Sequence, residues 1–340
     1  MATSDLSTNT AANKAEAQNA STDGSVLRAM LEWMQQSRAT EERLIRLYHQ
    51  GRIQGGVYVG IGQEAIGAAS AAAGAPQDLY APCIRNMVVH VGRGETLLNI
   101  FRQWLGRANG PTGGRDGNVH YGNMEHGVYS MISHLGAMIS VVIGGVMGKR
   151  HLGHDTIGFA HIGDGGTSTG DFHEAVNFAA VNNVPVIILI ENNHYAYSTP
   201  TSSQYRCKNL SDRALGYGID GYSADGNDAA TLYALLKGIA DDIRVNPRPV
   251  LVECDTMRMR GHGEHDDFCY VPEDLLAAYR ERDPIAGLRQ HLLEQGVTTE
   301  DELKTMDEAI DAQVTEAYTR ALKDPQPNPS TLLDGVYADG

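Results

Sequence analysis

Cysteine is scarce in this 340-residue sequence: only Cys83, Cys207, Cys254 and Cys269, with no Cys-x-x-Cys spacing. A disulfide framework and a zinc site are thereby excluded, and a reducing cytoplasm is the expected setting. Basic residues are also in short supply, 27 Lys and Arg against 42 Asp and Glu, for a net charge of −15. So acidic a chain is expected to bind neither nucleic acid nor an anionic membrane. No apolar run is long enough to span a bilayer. Residues 1–24 are rich in Ala, Thr, Asn and Ser and lack both Arg and an apolar segment. They read as a disordered tail rather than a signal or transit peptide. The whole is 42% hydrophobic and 20% charged, ordinary for a soluble globular protein and long enough to bury a core.

What is present centres on Gly163 to Asn193. Thr156 to Ile162 is a short apolar run bounded by polar residues, the mark of a buried strand. After Gly163-Asp164-Gly165-Gly166, residues Phe172, Ala175, Val176, Ala179 and Ala180 recur at the spacing of one helix face. Pro185 stops that pattern, and Val186 to Ile190 reads as a second buried strand. Strand–loop–helix–strand predicts two parallel strands joined by a right-handed crossover. Ligands of such sheets bind at the carboxyl ends of the strands, where Asp164 and Asn193 both fall. A carboxylate beside an amide oxygen suits Mg²⁺, which is commonly shared between protein oxygen and substrate phosphate. The glycines let backbone N–H groups approach a phosphate, and the helix dipole favours its charge. The pattern points to a metal-bridged diphosphate. No Gly-Lys-Ser/Thr follows, so it is not a P-loop.

Around this unit, Leu27, Met30, Leu31, Met34, Glu41 and Leu44 sketch an amphipathic helix over Val26 to Tyr48. Gly60 to Ala65 opens a small-residue helix ending near Gly74, and Arg85 follows a Pro-containing loop. Gly113 to His120 is a glycine-rich loop, and Ser130 to Gly148 reads as a buried helix. Leu232, Leu235, Leu236, Ile239 and Ile243 mark a helix capped by Asn227 or Asp228, and Pro249 to Cys254 a further strand. Beyond it, Arg258 to Asp267 holds two histidines and three acidic residues whose spacing does not match His-Glu-x-x-His. In its glycine-flanked loop, His262 is placed for proton transfer or phosphate contact. Leu275 to Leu293 is helical, and Thr299-x-x-Glu302 forms a capping box for the last helix. The expected fold class is α/β, with one parallel sheet over residues 25–325, helical appendages at both ends, and a tail over 326–340.

In order, Gly62-Gln63-Glu64-Ala65, Arg85, the loop to His120, Gly163-Asp164-Gly165, Glu191-Asn192-Asn193 and Arg260-Gly261-His262 resemble one family. It is the alpha subunit of thiamine diphosphate-dependent 2-oxo acid dehydrogenases, acting on pyruvate, branched-chain 2-oxo acids or acetoin. The resemblance covers about residues 26–325. It implies a thiamine diphosphate-binding fold in which Asp164, Asn193 and the Tyr195 carbonyl hold Mg²⁺. Gly165, Gly166, Arg85 and His262 would contact the diphosphate, with His262 also near the reacting carbon. Ser133 and Leu135 would offer backbone groups to the aminopyrimidine. A beta subunit would supply the activating glutamate in an α₂β₂ assembly, and the acyl group would pass to a lipoyl-bearing acyltransferase component. Two further readings stay open: an acetoin-cleaving or transketolase-like half-enzyme, and a non-catalytic partner subunit.

The sequence departs from the family's usual pattern at several positions. Ile84 stands where Tyr usually precedes the arginine, removing a hydroxyl contact. His134, Ala137 and Met138 replace residues that build a potassium site in some members, so no K⁺ is expected. Gly263 replaces the serine that is phosphorylated in kinase-regulated members.

Overall fold

Val186–Asn192, buried along its whole length, is the central strand of a parallel sheet in the computed structural model, which describes residues 23–338. In chain order the strands are β1 (Leu79–Ala81), β2 (Gly158–Gly163), β3 (Val186–Asn192), β4 (Tyr195–Ala196), β5 (Thr199–Pro200), β6 (Asp220–Asp225) and β7 (Val250–Asp255). The sheet runs β1-β2-β3-β7-β6 with every pair parallel, while β4 and β5 make a separate antiparallel pair. The helices are α1 (Gly24–His49), α2 (Glu64–Ala73), α3 (Met87–Gly92), α4 (Leu97–Trp104), α5 (Ala137–His151) and α6 (Gly170–Val181). Then come α7 (Ala214–Tyr217), α8 (Ala229–Val245), α9 (Glu273–Arg280), α10 (Pro284–Glu294) and α11 (Glu300–Lys323). The expected α/β class with a parallel sheet is what the chain adopts.

Alternation along the strands divides the core. Phe159, Ile187, Leu189, Val250 and Val252 face α1, α2, α8 and α10, whereas Ala160, Ile162, Ile188, Ile190 and Leu251 face α5 and α6. With helices on both faces, the inner strands must be apolar throughout, which is why they read as continuous apolar runs. A third cluster, including Leu44, Leu47, Phe101, Ile310 and Val314, holds α4 and α11 to α1.

Several boundaries differ from expectation for identifiable reasons. The helix expected over Ser130–Gly148 starts at Ala137, because Gly136 takes φ +87 and ends an irregular approach segment. It is also not buried all round, since Val141 and Met147 are exposed. The stretch Leu275–Leu293 is two helices, broken where the Asp283 side chain caps α10 ahead of Pro284. Asp228 caps α8 by accepting from Thr231 N, and Thr299 and Glu302 form the expected capping box.

The expected N-terminal tail lies, up to residue 22, outside the described residues. Asp23 already caps α1 by accepting from Ser25 N. Past residue 325 the chain crosses the glycine-rich loop, where Arg115 donates to the Thr331 carbonyl at 2.7 Å. Among the described residues no helix is long and apolar enough to cross a membrane.

Candidate functional site

The register of β2 and β3 pairs Gly163 with Glu191, so Asp164 and Asn193 leave neighbouring strands at the same carboxyl edge. Both side chains are buried. Asp164 Oδ2 accepts from Gln204 Nε2 at 2.7 Å. The Asn193 amide donates through Nδ2 to Gln63 Oε1 at 3.0 Å, and Tyr195 N lies 3.4 Å from Asn193 Oδ1. The turn between β2 and α6 passes so close to its neighbours that only glycine fits. A Cβ on Gly165 would stand 2.5 Å from Ala196 Cβ, and one on Gly166 2.7 Å from Ile162 Cγ1. Leu135 lies beside this turn and its carbonyl accepts from Thr169 Oγ1 at 3.4 Å. Ser133 is exposed two residues earlier, on the approach to α5.

A second group sits at the ends of other elements. Arg85, buried, donates to the Val59 carbonyl at 2.9 Å and to the His262 carbonyl at 2.6 Å, and lies 3.3 Å from His262 Nδ1. The His262 ring packs against Tyr197 at 4.4 Å between centroids and edge-on to Tyr58 at 5.4 Å. Burial, then the charges of Arg85 and Arg258, push His262 down to about 4. Its imidazole is therefore neutral at neutral pH. Because a guanidinium only donates, Nδ1 faces Arg85 as an acceptor and the ring proton belongs on Nε2.

Arg258 joins the two groups. It is 2% exposed, and its guanidinium donates to the carbonyls of Tyr195 (3.1 Å) and Tyr197 and to the Tyr270 hydroxyl (2.7 Å). Its Nε has no partner among the described residues. Among the described residues neither Arg85 nor Arg258 has a carboxylate at ion-pair distance. Burial, and next the charge of Arg258, lower Arg85 to about 10. Burying like charges near one another is costly, and an anion beside them offsets part of that cost. The same edge has the opposite demand at Asp164, whose carboxyl burial pushes up and which a cation would keep ionised. An anionic phosphate group bridged to a cation meets both demands.

Sequence reasoning named Arg85, Asp164, Gly165, Gly166, Asn193, Tyr195 and His262, and hydrogen bonds or packing link them through Gln63, Gln204 and Arg258. It singled out Arg260 beside His262 and passed over Arg258. In the fold Arg260 points outward to Glu264 at 3.1 Å, whereas Arg258 turns inward. The available signal was position: Arg258 comes just past the end of β7, on the edge that carries Asp164 and Asn193. Ile84, in the place of the usual tyrosine, packs with the cluster of Leu44, Phe101 and Val119.

Fold and site together define a parallel-sheet α/β protein with buried charges of both signs gathered at the carboxyl edge of its sheet. The dehydrogenase E1 component family matches residues 32–330, and the chain belongs to that family. It is similar to the pyruvate dehydrogenase E1 component subunit alpha, mitochondrial, of Pisum sativum, 32% identical over 296 residues, 86% of this chain and 74% of the relative. The 2-oxoisovalerate dehydrogenase subunit alpha of Bacillus subtilis (strain 168) is 33% identical over 306 residues, 89% of this chain and 92% of the relative. The pyruvate dehydrogenase E1 component subunit alpha of Rickettsia bellii (strain RML369-C) is 29% identical over 300 residues, 88% and 92% of the two chains. As a member of this family the chain is a component of a thiamine diphosphate-dependent 2-oxo acid dehydrogenase, an oxidoreductase.

Proposed function

We propose that this chain is the alpha subunit of a cytoplasmic 2-oxo acid dehydrogenase complex acting on a branched-chain 2-oxo acid or pyruvate. It would work in an α₂β₂ assembly with a beta subunit and deliver acyl groups to a lipoyl-bearing acyltransferase. The observation that carries this reading is the set of charges gathered at one sheet edge: the buried Asp164 carboxylate with the buried guanidiniums of Arg85 and Arg258, neither of them ion-paired among the described residues.

Asp164, Asn193 Oδ1 and the Tyr195 carbonyl would hold Mg²⁺, oxygen donors suited to a hard cation. The Tyr195 carbonyl has two lone pairs, so its bond from Arg258 leaves one for metal. Arg85, Arg258 and the backbone of Gly165 and Gly166 would take up the diphosphate. Ser133 and Leu135 would meet the aminopyrimidine through backbone groups. When bound, thiamine diphosphate supplies the electron sink for decarboxylation. His262, neutral and protonated on Nε2, can give or take a proton near the reacting carbon, with Tyr197 and Tyr58 limiting water around its ring. Val141 and Met147 of α5 and Phe178 and Val181 of α6 are exposed on packed neighbouring helices, the apolar face a permanent partner subunit would cover.

The test is decarboxylation by the chain co-purified with its candidate beta subunit, with thiamine diphosphate, Mg²⁺ and an artificial electron acceptor. Pyruvate, branched-chain 2-oxo acids and acetoin are compared. Turnover of one 2-oxo acid, lost in His262→Ala, is expected. No turnover by a complex that binds cofactor would favour a half-enzyme with other chemistry, and no cofactor binding a non-catalytic subunit.

A further inference from the structure

Asn193 and Asp164 are each gripped by a glutamine, and neither glutamine belongs to the proposed ligand set. Gln63 accepts from Asn193 Nδ2 at 3.0 Å, and Gln204 donates to Asp164 Oδ2 at 2.7 Å. We propose that Gln63 and Gln204 are positioning residues that aim one oxygen of Asn193 and one of Asp164 at the metal. The proposal rests on the metal reading of these two ligands given above.

The argument is one of hydrogen-bond polarity. A carboxamide can present either its oxygen or its nitrogen, and only the oxygen binds a hard cation. Glu191 is buried, and both of its carboxyl oxygens accept from side-chain amides. Its Oε2 takes the Gln63 Nε2 donor at 3.0 Å, which leaves Gln63 Oε1 as an acceptor on the other side. Asn193 must therefore meet Gln63 with Nδ2, so Oδ1 is the atom left to face the site. Glu191 is itself held. Its Oε1 receives Asn86 Nδ2 at 2.7 Å and lies 2.7 Å from His161 Nδ1, whose Nε2 lies 3.1 Å from Ser70 Oγ. The polarity of a buried chain from His161 through Glu191 and Gln63 thus ends as the orientation of one amide. On the other ligand, Gln204 Nε2 also donates to the Thr199 carbonyl at 2.9 Å. The Asp164 carboxylate is thereby tied to the β4–β5 hairpin through Oδ2, and Oδ1 is the oxygen offered to the metal. Groups outside the ligand set that fix ligand orientation typically account for 10–100-fold in metal affinity.

Gln63→Met and Gln204→Met keep side-chain length and remove the amide. Each is prepared in the full complex with the beta subunit, and Mn²⁺ binding in the presence of thiamine diphosphate is titrated by electron paramagnetic resonance. Melting temperature of the cofactor-free complex and activity against metal concentration are measured alongside. The expected result is Mn²⁺ affinity about 10–100-fold weaker in each variant, with the metal requirement raised and kcat restored at saturating metal. Gln204 is only half-buried, so its variant keeps the test open if loss of buried Gln63 prevents folding. Wild-type affinity in folded variants, or a lower melting temperature as the only change, would overturn the proposal and leave the site reading standing. Failure of the wild-type complex itself to bind Mn²⁺ with cofactor present would overturn the metal reading, and the positioning role with it.

Discussion

Arg258 donates to the Tyr195 carbonyl at 3.1 Å, which ties a buried cation to the hairpin that follows Asn193. Among the described residues its Nε is unpartnered and no carboxylate lies at ion-pair distance, so its charge is met by neutral acceptors alone at close range. Arg258→Met is expected to weaken thiamine diphosphate binding by roughly tenfold or more, since charge-assisted contacts are worth about 1.5–3 kcal/mol. The melting temperature of the cofactor-free complex should fall modestly, because the carbonyls of Tyr195 and Tyr197 and the Tyr270 hydroxyl lose their donor. A cofactor titration and a thermal melt check both parts. Unchanged cofactor affinity would remove Arg258 from the site.

Asp164→Ala removes the one charged oxygen among the three proposed ligands and should abolish metal-dependent cofactor binding. Burial pushes the Asp164 carboxyl above its ordinary value, and protons compete with the metal for it. Metal affinity should therefore start to fall on acidification at a higher pH than an exposed aspartate would give. A metal titration at several pH values reads this directly.

His90 tests the fold rather than the site. It is 1% exposed, neither ring nitrogen has a partner among the described residues, and burial pushes it down to about 4. The unfolded chain would take up a proton near pH 6.5 that the folded chain refuses until about 4, so stability falls as pH drops through that window. The loss should be on the order of 2 kcal/mol between pH 8 and pH 5. His90→Phe keeps a ring and removes the titration, so its melting temperature should change less over the same range. Equal slopes would show that His90 is not the group responsible.

Asp164 and Asn193 were legible because each ends an apolar strand in a unit of simple periodicity, and strand ends in parallel sheets converge. Gln63, Glu191 and His161 carried no comparable signal. Their hydrogen bonds join α2, β3 and β2 across long stretches of chain, and nothing in local composition marks which polar residue will meet which. β6 was missed for another reason: as an edge strand it is mostly exposed, with no apolar run to betray it. The break between α9 and α10 was present in Asp283-Pro284, but apolar spacing on either side concealed it.

By itself the sequence determined the α/β class, the central strands and the loop that bears Asp164, since periodicity and glycine chemistry act over a few neighbouring residues. Only the tertiary structure decided that Arg258 turns inward while Arg260 turns out, and which atom of Asn193 is turned away from Gln63. Those outcomes depend on burial and on hydrogen-bond polarity passed between separate elements, and both come into being only when the sheet and its helices close on one another.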